Sequence, residues 1–165
     1  MGSYTVEEFV RGYRGRVEQL RSFPDKSIIN SLTQSAQRHP EMAHGIVGLL
    51  EDMILDTAVS PENKLPLCYL VDSILKNVRD PYTSLVGSGV VRWFCSAYDA
   101  VDDKNKKSLV RVLGTWDLGK IFSVDKLDQM KEYVRTGQLP HEARPEPALS
   151  AQILPPPPVV LAAQP

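Results

Sequence analysis

Cysteine and histidine are both scarce in this sequence of 165 residues, which holds two of the first and three of the second. Cys68 and Cys95 stand singly inside apolar stretches with no CxxC spacing. That pattern excludes a disulfide framework and a zinc site, and both read as buried, reduced thiols of an intracellular protein. His39, His44 and His141 are far apart in sequence and character, so neither a histidine metal cluster nor a general base with a partner is expected. There is no glycine-rich phosphate loop, no GxSxG and no HExxH, which leaves an enzyme reading without support and implies no cofactor and no metal. No apolar run approaches the ~20 residues that span a bilayer. The N-terminus lacks a basic-then-apolar signal pattern, and Val6 stands where a myristoylation signal needs Ser or Thr, so no membrane role is expected. Charge of one sign is missing too. Nineteen Lys and Arg meet 20 Asp and Glu for a net charge of -1, so attraction to nucleic acid falls to local patches.

Period-two alternation is absent over any useful length, and apolar spacing is helical almost throughout. "TVEEFVRGYRGRVEQL" puts Val6, Phe9, Val10, Tyr13, Val17 and Leu20 on one stripe, and Thr5 with Glu8 forms a capping-box start. "KSIINSLTQSAQRH" is a shorter second helix with Ile28, Ile29 and Leu32 inward. Pro40 opens the third, with proline in the first turn where its missing N–H costs nothing. "KLPLCYLVDSILKNVRDPY" carries the fourth, with Asn63 as its candidate cap and Pro66 in its first turn. A short fifth, "PYTSLV", ends at Gly87-Ser88-Gly89. The sixth places Val91, Phe94 and Tyr98 for burial, and the seventh places Leu109, Val112, Leu113 and Trp116 on one side. Asp102 and Asp103 precede that seventh helix, where carboxylates suit the helix dipole. Ser123 caps the eighth, and Gly137 follows its end. The fold expected is an all-α superhelix of about eight helices over residues 1–138. From residue 139 onward the sequence holds eight of the chain's 13 prolines, and a disordered, partly polyproline II tail or linker is expected there.

Two clusters stand out against this core pattern. On the fourth helix, Leu65, Tyr69, Asp72, Ser73 and Lys76 share one face of an otherwise apolar girdle, with Asn77 beside them. Two readings stay open: polar atoms that tie the helix to its neighbours, with Lys76 snorkelling, or the wall of a groove. In the groove reading Tyr69 and Asp72 receive a partner's hydroxyl or N–H, and a partner lacking that group leaves the carboxylate unpaired. On the seventh helix, Lys104, Lys106, Lys107 and Arg111 form a basic cluster, with Lys107 and Arg111 four apart. It is either a solvated face or, through the fork geometry of Arg111, a phosphate contact. Lys104, Lys106, Lys107 and Arg92 also allow weak RNA binding, which strong salt dependence would mark.

The run Lys64, Leu65, Tyr69, Asp72, Ser73, Ile74, Lys76, Asn77 and Val78 resembles the fourth helix of the CID family. That family binds the C-terminal heptad-repeat tail of RNA polymerase II. The resemblance is greatest to the Pcf-type subunit of the pre-mRNA cleavage and polyadenylation machinery. "KKSLVRVLGTWD" is similar to the family's seventh helix and "SIINSLTQSA" to its second, so the likeness covers about residues 5 to 135. It implies a right-handed superhelix of eight helices whose second, fourth and seventh members form a groove for the heptad YSPTSPS. Asp72 is implied to bond at the peptide turn and help seat the heptad tyrosine, and Tyr69 to line the same groove. Ser73, Lys76, Asn77 and Val112 are implied neighbours, and Lys26, Ser27 and Asn30 are implied backbone contacts on the second helix. Arg111, with Lys107, is implied to bind a phosphoserine, and Arg111 departs from the Pcf-type pattern, where arginine is not required. The resemblance implies a non-catalytic, nuclear reader of the (phosphorylated) heptads acting in mRNA 3′-end processing or termination, meeting other processing factors through regions outside this domain. The architecture is shared with the VHS/ENTH superhelices of membrane traffic, which bind sorting peptides or lipid head groups, and these are the alternative.

Overall fold

The computed structural model describes residues 5–139. The expected proline-rich tail, Leu139 apart, lies outside them. Among the described residues there are eight α-helices and no strand: α1 (Val6–Val17), α2 (Lys26–Arg38), α3 (Ala43–Leu55), α4 (Lys64–Asn77), α5 (Tyr82–Gly87), α6 (Val90–Ala100), α7 (Asp103–Gly119) and α8 (Val124–Thr136).

Local sequence sets most of these ends. The Thr5–Glu8 capping box forms in both directions. Asp25 caps α2 through the Ser27 and Ile28 amides, Asp102 caps α7 through that of Asn105, and Ser123 caps α8 through that of Lys126. Gly137 closes α8 at φ 79°, in the left-handed region that glycine adopts without cost. Two starts differ from expectation. Pro40 and Pro61 each open a 3-10 turn, Pro40–Met42 and Pro61–Asn63, that runs into the following α-helix. Asn63 occupies the cap position of α4, but its side chain makes no capping bond. A proline-led turn has already bent the chain into helical geometry there, so no side-chain cap is needed.

One core runs through the superhelix. α4 packs on α2, α3 and α7, and α6 on α3 and α8. Trp93 and Trp116, 1% and 0% exposed, meet edge to face at 6.2 Å, and Phe94 and Phe122 crowd the same indole of Trp116. The sixth helix is thus rotated from expectation. It buries Val90, Trp93, Phe94 and Ala97, while Val91 and Tyr98 are only half-buried. At α1 the stripe holds at Tyr13, Val17 and Leu20 but releases Val6, which is exposed. Cys68 and Cys95 are buried and free, and burial pushes both thiols up to about 12. Buried tyrosine hydroxyls fix α2 from two sides: Tyr13 Oη donates to the Leu32 carbonyl at 3.0 Å and Tyr82 Oη to that of Ala36 at 2.8 Å. Lys64 is buried at the start of α4. Its Nζ donates to the carbonyls of Met53 (3.2 Å), Ile54 (2.6 Å) and Asp56 (2.6 Å), which the end of α3 leaves without helical partners.

Candidate functional site

α4 presents a single polar arc to the surface, running through Tyr69, Asp72, Ser73, Lys76 and Asn77. Its remaining faces are taken up by the core, where Leu65, Leu67, Cys68, Leu70, Val71, Ile74 and Leu75 are buried. α2 lies along one side of that arc and α7 along the other, so the arc occupies the place of the expected groove floor.

The α7 side is joined through Asp72. Its Oδ1 accepts from Trp116 Nε1 at 2.8 Å and from Lys76 Nζ at 3.0 Å. Lys76 Nζ also reaches Oδ2 at 3.2 Å and donates to Thr115 Oγ1 at 2.8 Å. The carboxylate is thus not waiting unpaired, which corrects the expectation that only a partner would satisfy it. Its side chain stays 17% exposed, and Oδ2 carries a single, long contact. A carboxylate offers about four acceptor directions, so Oδ2 keeps room for one further hydroxyl or amide donor. Tyr69, one turn earlier, is half-buried beside it.

The α2 side is joined through Ser73. Thr33 Oγ1 donates to the Ile29 carbonyl at 2.7 Å and lies 2.7 Å from Ser73 Oγ. A hydroxyl has one proton, so Ser73 donates to Thr33. Asn77 Nδ2 then donates to the Ser73 carbonyl at 2.9 Å and to its Oγ at 3.3 Å. Ser73 and Asn77 therefore hold the α2–α4 seam, and Asn77 remains exposed. Lys26 and Asn30 are exposed on the flank of α2 that leads to Thr33, while helical phase turns Ser27 away from α4.

On the rim, Arg111 is exposed and held only by a 3.4 Å bond to Ser108 Oγ. It makes no ion pair among the described residues, so its fork is free for an anion. Arg111 lies one turn before Thr115, on the flank that meets Lys76. Lys104 and Ser108 share that flank by helical phase, whereas Lys107 is turned further toward solvent. Val112 is 6% exposed and serves the site from beneath, its carbonyl accepting from Thr115 Oγ1 at 2.7 Å. Of the basic residues suggested for RNA, Arg92 lies apart from Lys106 and Lys107. Lys106 sits over the Tyr98 ring at 5.2 Å and borders one cavity with Lys107, and Arg92 borders another between α6 and α8.

Sequence reasoning missed Thr33, Thr115 and the second role of Trp116. Thr33 had a local signal, a hydroxyl one turn after Ile29 on the apolar side of α2. The Trp116–Asp72 bond spans 44 positions and has no local signal. Among the described residues no group of histidine, cysteine and carboxylates is placed to hold a metal ion, and no helix is long and apolar enough to cross a membrane.

Residues 14–130 match the family model for the CID domain. The chain is 35% identical over 128 residues to the polyadenylation and cleavage factor homolog 11 of Caenorhabditis elegans, covering 76% of this chain and 15% of that protein. It is 26% identical over 144 residues to Protein PCF11 of Saccharomyces cerevisiae, covering 84% of this chain and 22% of that one. The chain thus spans under a quarter of either relative. Among solved structures, the RPR of Pcf11 superposes with a TM-score of 0.71 at 25% identity, over 76% of this chain and 98% of that one. The yeast Nrd1 CID, solved in complex with Sen1 NIM3, gives 0.64 at 20% identity over 78% and 98%, and carries the fold alone.

Proposed function

The chain belongs to the CID domain family, and from that membership we propose that its groove binds the heptad-repeat tail of RNA polymerase II without catalysing a reaction on it. The trafficking alternative has no support beside this match. The observation that carries the reading is Asp72, fixed by Trp116 and Lys76 at the groove floor with Oδ2 still open to a donor. A heptad tyrosine supplies that donor, and the half-buried ring of Tyr69 supplies an apolar flank for it. Lys26 and Asn30 meet the peptide backbone, Ser73, Asn77 and Val112 act by holding the walls, and Ser27 serves only the start of α2, where its N–H donates to Asp25.

Arg111 adds phosphate reading. A phosphoserine brings about -1.5 to -2 charges, and a guanidinium with no competing carboxylate can pair with it through two parallel bonds. Lys107, one turn away, strengthens the local field. Ordering a disordered tail costs free energy, so single-site affinity is modest and tandem repeats raise it through avidity. The domain would act within a longer, nuclear protein that couples transcription to mRNA 3′-end cleavage, polyadenylation and termination, with other processing factors bound elsewhere in that protein.

The test is an anisotropy titration with two-repeat peptides: unmodified, phosphorylated at the second-position serine, and phosphorylated at the fifth-position serine. Saturable binding that favours the second-serine form is expected, with Arg111→Ala removing the preference. No binding to any peptide sinks the reading, and equal losses across all three with Arg111→Ala sink the role of Arg111. Binding of an unrelated RNA with steep salt dependence and no heptad preference would favour the basic cluster instead.

A further inference from the structure

Past the C-terminal ends of α4 and α7 lies a cavity bordered by Lys76, Arg79, Asp80, Thr83, Thr115 and Lys120. Lys76 and Thr115, which join α4 to α7 at the polar arc, also border this cavity, so the cavity adjoins the arc. Three cations face one carboxylate there. Lys76 is already paired with Asp72. Arg79 and Lys120 are exposed, and among the described residues neither side chain makes an ion pair.

Both of these residues hold the left-handed conformation, Arg79 at φ 72° and Lys120 at φ 53°. Each ends its helix: Arg79 N–H donates to the Ile74 carbonyl at 3.1 Å, and Lys120 N–H to those of Asp117 and Trp116. Glycine is the residue that takes such a position without strain. At α7 a glycine is present, but one position early, at Gly119, and lysine takes the left-handed turn. A cation near helix carbonyls is favourable, which accounts for a charge at each end. It does not account for both strained residues bordering one cavity that adjoins the arc.

We propose that this cavity is a second anion subsite, taking a phosphorylated side chain of the same peptide whose first phosphate meets Arg111. The proposal rests on the groove being a peptide site. Arg111 on α7 and Lys120 at its C-cap lie nine positions apart, an offset of about 13 Å along the helix axis at ~1.5 Å per residue. An extended peptide covers that span in about four residues at ~3.3 Å each. In consecutive YSPTSPS repeats, the fifth-position serine of one and the second-position serine of the next are spaced in this way. The domain would then read a pair of phosphates by their separation, with Arg79 and Lys120 as the second contact and the Thr83 hydroxyl beside them.

The experiment compares two-repeat peptides carrying one phosphate, at the second-position serine of the second repeat, with peptides carrying an additional phosphate at each other serine or threonine in turn. These are titrated against the wild-type chain and against Arg79→Gly/Lys120→Gly. In the wild type a second phosphate spaced by four residues should tighten binding by about two- to fivefold, the upper part of the range for a charge pair at an exposed site. The double variant should lose that gain, keep its affinity for the singly phosphorylated peptide within about twofold, and melt no lower than wild type, because glycine relaxes both left-handed positions. A gain that survives in the variant, or no gain for any placement, overturns the subsite while leaving the groove reading intact. Failure of the singly phosphorylated and unmodified peptides to bind overturns the groove reading, and the subsite with it.

Discussion

Asp72 does two things, and substitutions separate them. It accepts from the indole of a fully buried tryptophan, and it leaves Oδ2 facing the groove. Asp72→Ala strands the Trp116 donor, which costs about 1–3 kcal/mol when the group is buried. Asp72→Asn keeps an acceptor for Trp116 but gives up the charge that holds Lys76. In urea denaturation the alanine variant should lose about 1–3 kcal/mol and the asparagine variant less, while both weaken every heptad form. An unchanged urea midpoint for Asp72→Ala would show that the indole bond contributes nothing. The sequence marks Asp72 as unusual because a carboxylate on an apolar helix needs a partner. It cannot name the partner, because nothing local ties position 72 to position 116. Arg111 is different: its free guanidinium follows from its place on an exposed flank, and helical phase from Leu109 and Leu113 is enough to put it there.

At the scale of the element, the joint between α3 and α4 depends on one side chain. Lys64 is 4% exposed, and its ammonium serves three carbonyls at the end of α3. Burial lowers its pKa below the ordinary 10.5, yet those carbonyls have no other side-chain donor. Lys64→Met keeps the volume and removes all three bonds, so a loss of about 2–4 kcal/mol is expected by chemical denaturation. A loss under about 0.5 kcal/mol would mean that water replaces the ammonium. Close approach limits another joint. A Cβ on Gly45 of α3 would meet Val10 Cγ2 of α1 at 2.6 Å, so α1 rests directly on the backbone of α3. The helices themselves were legible, since they repeat their apolar residues with helical period and four of the eight carry a side-chain cap. The two 3-10 turns and the rotation of α6 were not. Trp93 and Val90 compete with Val91 and Tyr98 for burial, and packing against α3 and α8 decides between them.

For the whole molecule, the net charge of -1 means that no long-range field draws a phosphopeptide in. Association should proceed near the unsteered rate of about 10⁵–10⁶ M⁻¹s⁻¹. Peptide phosphorylation should therefore act on the dissociation rate, through Arg111, and leave the association rate within about threefold in stopped-flow measurements. An association rate that rises in step with affinity would instead point to steering by the Lys104–Lys107 cluster. The fold class was readable from period alone. The groove was not, because it exists only where α2 and α7 meet α4 across 40 and 44 positions. A pattern of residues says which face of each helix is polar, but not that three such faces converge. The likeness of the Asp72–Val78 run to known CIDs supplied that step. The Asp72–Trp116 bond also carries a consequence of another kind. It connects the floor of the groove to an indole in the middle of the core, so whatever touches the carboxylate alters the electronic environment of a natural chromophore. The domain is its own optical and magnetic probe, with the indole N–H resonance of Trp116 reporting occupancy directly, and no label has to be placed on a surface that a ligand needs.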